Sequence, residues 1–336
     1  MRSAELLRAL VAVLPTQRPI FLWGPPGIGK SACVRQAAKE LQWEVIDLRA
    51  TLLDPVDLRG LPTLKKDKAW WCPPAFLPTE GQGLLFLDEL AQAAPSVQAA
   101  CLQLTLERQL GEYILPAGWT VIAASNRPED RSGTHRLLAP LLNRFIHLEL
   151  DVHHEDWQAW ATSQHLHSAV CAFLRFRPKL LYQFEPQSSQ RAFATPRSWQ
   201  FVSDILPQTP SELLYPLVTG CVGEGPAAEF VGFLQLYRDL PDLDKVLTEP
   251  LTATIPHEPA VLYALLGALT ELCRQQKQRC GQLALYATRL PAEFAVVALR
   301  DCLSIEPQLV ALPQVQLWLT QARQQGLFPA LTTMAT

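Results

Sequence analysis

With 336 residues, 49% of them hydrophobic, the chain is long enough for two or three domains and for a sizeable core. A formal net charge of -3 excludes a basic field over the whole surface, so the composition offers nothing to a nucleic-acid partner. Eight cysteines without CxxC spacing, and seven histidines without HExxH spacing, exclude a disulfide framework and a zinc site and point to reduced thiols in the cytoplasm.

In chain order, "MRSAELLRALVAVLP" has a charged start and an apolar middle but no small-residue cleavage site, and is predicted to be a helix packed on the domain. The segments "PIFLW", "WEVIDL", "GLLFLDE", "WTVIAAS" and "RFIHLEL" then recur with helical stretches between them. Short, nearly continuous apolar runs suit strands buried on both faces of a parallel sheet, so residues 1–150 are predicted to form an α/β domain. After Asp151 the strand signals fade and helical segments punctuated by prolines follow. A helical lid is expected over 151–206 and a C-terminal helical region over 207–336. The apolar stretch "AVLYALLGAL" is too short to cross a bilayer, so no membrane span is expected.

Between the first strand and the first long helix of this domain lies "GPPGIGKS", which fits GxxxxGK[ST] at every fixed position and in the required strand-to-helix context. Glycine backbones at Gly24, Gly27 and Gly29 can turn successive N–H groups toward phosphate oxygens at a helix N-terminus. Gly24, Pro25, Pro26, Gly27, Ile28, Gly29, Lys30, Ser31 and Ala32 are therefore the expected nucleotide cradle. Lys30 supplies a cation to the β and γ phosphates, and Ser31 a hydroxyl to magnesium.

The apolar run "GLLFL" ends in Asp88 and Glu89. A carboxylate at that strand tip can hold Mg2+ beside the loop, and the next one can take a proton from an attacking water, the competing reading being two surface acids after a core strand. "WTVIAAS" leads into Asn126, either a contact to the γ-phosphate and the attacking water or a simple turn residue.

The succession of phosphate loop, "LLFLDE", "AASN", "LLNRF" and "ATPRSW" resembles the AAA+ ATPases, and its details resemble their MoxR-like, dynein-related branch. In that branch a β-hairpin interrupts the helix after the Asp-Glu pair, and "SVQAACLQLTLERQLGEYILPAG" looks similar; "DPVDLRGLP" and a second hairpin around Trp70 and Trp71 resemble it too. "DELAQAAP" departs from the branch in lacking an asparagine-arginine pair. The resemblance covers residues 15–206. It implies an AAA+ core with a parallel sheet flanked by helices, an ATPase using ATP and Mg2+, Asn126 as first sensor, Arg144 as an arginine finger supplied to a neighbouring subunit, and Arg197 as second sensor.

The resemblance also implies a ring homo-oligomer, a hexamer, because the finger is supplied in trans, and a von Willebrand A domain partner acting on a protein client. Arg131 and Arg136 are further candidates to face the adjoining subunit, and Trp70, Trp71 and Tyr113 either line a central pore or pack their hairpins. Two alternatives stand beside the remodelling ATPase: a nucleic-acid motor or loader, to which "TLKKDK" and "RQQKQR" lend basic runs, and a nucleotide-dependent switch with little turnover.

Overall fold

The computed structural model describes residues 1–65, 68–130, 137, 139–238 and 240–324, and the chain divides into two compact units. The first comprises Met1–Trp157 with Phe184–Gln190 and Thr195–Arg197; the second comprises Gln158–Gln183, Arg191–Ala194 and the chain from Ser198 onward.

In the first unit the strands are β1 (Ile20–Trp23), β2 (Glu44–Arg49), β3 (Leu61–Lys65), β4 (Lys68–Cys72), β5 (Gly83–Asp88), β6 (Gln109–Leu110), β7 (Tyr113–Ile114), β8 (Trp119–Ser125) and β9 (Ile146–Glu149). Five of them, those expected from the apolar runs, form one parallel sheet in the order β2-β5-β8-β1-β9. Every residue of β8 is buried and β5 is buried up to Asp88, because helices cover both faces at the centre; the edge strands β2 and β9 carry mixed sequences and are half exposed.

Register then decides what stands at the sheet's C-terminal edge. Asp88 pairs with Ala124, and Ser125 pairs with Trp23. The residues that follow β5, β8 and β1 therefore emerge side by side, which is where a crevice for ligands forms in sheets of this kind.

The helices of this unit are α1 (Ser3–Val13), α2 (Lys30–Leu41), α3 (Pro55–Arg59), α4 (Pro95–Glu107) and α5 (Ala139–Leu142). α1 buries Leu6 and Leu10 and packs on α2, as expected of a domain helix. α4 starts on Pro95, whose missing N–H costs nothing at a first helical turn, and stops at Arg108 in a left-handed conformation. Arg108 then donates to the carbonyls of Pro116 and Trp119 at 2.8 and 2.7 Å, pinning the β6–β7 hairpin ahead of β8. Tyr113 in this hairpin donates its hydroxyl to the Pro78 carbonyl at 2.6 Å and packs on the core, so it serves as hairpin packing; burial pushes its phenol up to about 12. The β3–β4 hairpin differs: Leu64 is 82% and Trp70 50% exposed.

The chain continues through α6 (His154–Ser163), α7 (Ser168–Phe176), α8 (Pro196–Ile205), α9 (Leu214–Val222), α10 (Glu224–Arg238), α11 (Leu243–Thr248), α12 (Pro259–Gln275), α13 (Cys280–Ala287), α14 (Ala292–Ile305) and α15 (Pro313–Gln324). The second unit is helical among its described residues, and α12, ten of whose 17 residues are buried, is its axis. Gly267 lets α7 approach α12 closely: a Cβ there would sit 2.7 Å from that of Ala172. Arg175 on α7 meets Asp301 on α14 in a bidentate pair at 2.6 and 3.0 Å, and its Nε donates to Gln158 at 3.1 Å. Both charges are under a tenth exposed, an arrangement that fixes helix register more than it adds stability, because each ion has lost its water. All eight cysteines are unbridged, and no described helix is long and apolar enough to cross a membrane.

Candidate nucleotide site

The site begins where β1 ends. Gly29 sits at φ +98, a conformation that side chains resist, and α2 starts at the next residue, Lys30. Gly24 lies so close to Leu150 that a Cβ would stand 2.8 Å from that residue's carbonyl oxygen. At Gly27, φ +75, a Cβ would meet the Thr195 hydroxyl at 2.9 Å, and the Gly27 carbonyl accepts from the Arg197 N–H at 3.2 Å. The loop is thus a backbone cradle at a helix N-terminus, bare of side chains where an anion would enter.

Lys30 is largely buried, and its ammonium donates to the carbonyls of Gly24 and Pro25 at 2.6 and 3.0 Å and to Asn126 Oδ1 at 2.9 Å. These acceptors are neutral. Burial accordingly lowers the Lys30 pKa to about 8; Asp88 and Asp130 oppose that shift, and Arg197 and Arg127 add to it. An anion beside Lys30 would restore its charge, which is the electrostatic fit expected of a phosphate site.

A pH dependence follows. Because the folded pKa lies below the unfolded one, this lysine opposes folding by on the order of 3 kcal/mol below pH 8, and the opposition lifts as pH rises from about 8 toward 10.5. Binding of ADP has the reverse demand, since it needs the charged form. At pH 9 ADP binding is expected to take up close to one proton, and at pH 7 none through this group. Calorimetry in two buffers of different ionisation enthalpy measures the difference, and uptake that does not change between the two pH values would contradict it.

Ser31, one residue on, donates to Asp88 Oδ2 at 2.8 Å, and the other carboxylate oxygen accepts from the Glu89 N–H at 3.0 Å. A hydroxyl and a carboxylate at this separation are hard oxygen donors suited to Mg2+. Glu89 itself adopts φ 60, ψ 31, and its carboxylate accepts from the Thr51 hydroxyl at 2.9 Å. Among the residues expected from sequence, the structure therefore brings Lys30, Ser31, Asp88 and Asn126 together, with Glu89 adjoining. Arg197 is exposed and close enough for its charge to act on Lys30.

Arg144 is not among them. It stands ahead of β9, exposed, with no ion-pair partner among the described residues. Since β9 runs parallel to β1, Arg144 lies at the opposite end of the sheet from the loop, roughly 13 Å away along a four-residue strand. Arg131 and Arg136 lie outside the described residues.

Three residues that the motifs did not flag also shape the site. Thr51, just past β2, holds Glu89. Asp130, 4% exposed, accepts from the Arg127 N–H at 2.9 Å and pairs with the Arg127 guanidinium, closing the turn that follows Asn126. Arg127 reaches Glu149 as well, at 2.9 Å. The only sequence signal was the acid four places after Asn126 in "SNRPED".

Residues 19–145 match the AAA domain, dynein-related subfamily. Over that stretch the chain is similar to the AAA domain. The matched stretch contains the loop, Asp88, Glu89, Asn126 and Arg144. A curated relative, the replication factor C large subunit of Thermofilum pendens, is 28% identical over 116 residues, which is 34% of this chain and 26% of that protein. The chain thus matches about a quarter of that relative's length. Among solved structures, the RuvB Holliday junction branch migration motor of Thermotoga maritima aligns with 19% identity over 79% of this chain and 81% of its own, at a TM-score of 0.41. NtrX of Brucella abortus in complex with ADP aligns with 15% identity over 96% and 68%, at a TM-score of 0.42.

Proposed function

We propose that this chain is an ATP-hydrolysing subunit of a MoxR-like ring, a hexamer, that remodels or matures a protein complex together with a von Willebrand A domain partner. The observation that carries the reading is the convergence of Lys30, Asp88 and Asn126 at one end of one sheet, joined by direct hydrogen bonds from Lys30 to Asn126 and from Ser31 to Asp88. A bound Mg2+–triphosphate would supply an electrophilic phosphorus there. Lys30 neutralises phosphate charge, Ser31 and Asp88 hold the metal, and Asn126 keeps its amide N–H2 for the γ-phosphate or the attacking water. Glu89, once released from Thr51, takes the water's proton. Arg144, remote from its own loop, completes the site of a neighbour, and Arg197 contributes a second cation.

The MoxR-like type is supported by the two hairpins, β3–β4 and β6–β7, which stand where the resemblance expects them. In this reading residues 151–206 act as the lid and 207–336 serve ring contacts or partner docking.

The name of the replication factor C relative favours the second reading, a nucleic-acid motor or loader. Against it, the basic run "RQQKQR" is partly neutralised within the chain, Arg274 pairing with Glu271 and Arg279 with Asp244. The purified chain is expected to hydrolyse ATP with Mg2+, to stop when the metal is chelated, and to be indifferent to duplex DNA. A severalfold stimulation by DNA that fades with salt would replace the remodelling reading by the motor.

A further inference from the structure

Arg144 stands away from its own loop, yet a chain of side chains joins the two. Arg144 is the third residue of a turn that runs from Leu142 to Phe145, closed by the Phe145 N–H donating to the Leu142 carbonyl at 3.3 Å. The same carbonyl lies 2.8 Å from Nε2 of His147, which is on β9. The other ring nitrogen, Nδ1, accepts from the indole N–H of Trp23 at 2.9 Å. Trp23 ends β1 and directly precedes Gly24, the first residue of the phosphate loop.

The two partners fix the state of the ring. An indole N–H only donates and a carbonyl oxygen only accepts, so both bonds exist together only in the neutral imidazole with its proton on Nε2. The ring is then a rigid spacer between strand and turn. Its orientation is set from below: Trp23 stacks on Phe21 with ring centres 4.2 Å apart, and the imidazole lies at 22° to the indole plane. Phe145, at the far end of the turn, meets Phe21 edge-on at 5.2 Å. Both ends of the turn are thus tied to side chains of β1, while Arg144 between them is exposed. His147 is exposed too, and water could satisfy either of its nitrogens, so the paired bonds constrain geometry instead of relieving burial.

A guanidinium that stabilises charge in a transition state must arrive within hydrogen-bond reach of the reacting oxygens, and a displacement of about 1 Å is costly. We propose that His147 is the positioning residue for Arg144, setting the turn that presents the finger at a fixed distance from the strand that carries the chain's own phosphate loop. This rests on the reading of Arg144 as an arginine finger and adds the residue that aims it.

The test measures single-turnover ATP hydrolysis and calorimetric ADP binding on the full chain and on its His147→Leu, His147→Gln, Trp23→Phe and Arg144→Ala variants. His147→Leu is expected to slow hydrolysis roughly five- to tenfold, the effect of about one hydrogen bond, with ADP affinity held within twofold. His147→Gln, whose amide offers an acceptor and a donor, should recover most of the rate. Trp23→Phe keeps an aromatic ring on Phe21 but loses the N–H, and should reproduce the loss. The deciding measurement is His147→Leu in the Arg144→Ala background, where it should have no further effect, because a residue that acts only through Arg144 has nothing left to position. A further slowing by the same factor in that background would overturn the assignment, as would a parallel loss of ADP affinity, the sign of a merely structural prop under the loop. Rates within twofold of wild type in both His147→Leu and Trp23→Phe would overturn it as well. If Arg144→Ala hydrolyses ATP as fast as the wild type, the finger reading itself falls and this inference with it.

Discussion

Glu89→Gln is expected to bind ATP with near wild-type affinity and to hydrolyse it 10²- to 10⁴-fold more slowly, the usual worth of a positioned general base. The side chain stands next to Asp88 on the sheet's C-terminal edge, and an amide of the same size keeps the backbone N–H that serves the Asp88 carboxylate at 3.0 Å. Magnesium binding is thereby preserved while the proton acceptor is lost. Glu89 accepts from the Thr51 hydroxyl, so in the proposed mechanism that hydrogen bond gives way before the carboxylate takes a proton from water. Single-turnover hydrolysis beside an equilibrium measurement of ATP affinity separates the two steps. Undiminished turnover in Glu89→Gln would remove this residue from the chemistry.

Arg144→Ala is expected to lower steady-state hydrolysis about 10³-fold or more, with nucleotide affinity little changed, because a guanidinium acts on charge that develops in the transition state. Its position makes a stronger statement possible. Arg144 is exposed at the end of the sheet away from its own loop, so the loss should be repaired by another copy. Mixing Arg144→Ala with Lys30→Ala subunits, each inactive alone, should restore part of the activity, since a Lys30→Ala subunit still presents an intact Arg144 to its neighbour's intact loop. Mass measurement of the mixture establishes whether mixed rings form. Mixed rings without any recovery would show that the arginine does not act in trans.

Much of the core was legible because its signals are local. Five apolar runs became five parallel strands at nearly the expected bounds; the central β1, β5 and β8 are buried as expected, since a strand buried on both faces tolerates few polar residues, whereas β2 and β9 lie at the edges and are half exposed, against that expectation. The loop was legible too, because its glycines meet a steric need that few residues satisfy. The two hairpins were anticipated by resemblance, but the opposite environments of their aromatics were not. Tyr113 found the Pro78 carbonyl and the core, while Trp70 stays half exposed, and nothing in either short stretch announces which will be covered.

The residues that motifs missed act across long stretches of chain. Thr51 reaches Glu89 from the end of a different strand, and Arg175 reaches Asp301 from a different helix. Neither pair has a spacing that a sequence pattern can detect. Asp130 escaped for another reason: an acid in a turn is ordinary, and only its burial beside Arg127 marks it as the clasp on the segment bearing Asn126.

By itself, then, the sequence determined which segments are strands and where a glycine loop opens onto a helix N-terminus, because apolar periodicity and glycine sterics operate within a few residues of chain. Tertiary structure alone decided that Lys30, Asp88 and Asn126 share one edge, that Glu89 is restrained, and that Arg144 stands apart. Those outcomes depend on strand order and register, and strand order is settled by the packing of the whole sheet, not by any residue's neighbours in sequence.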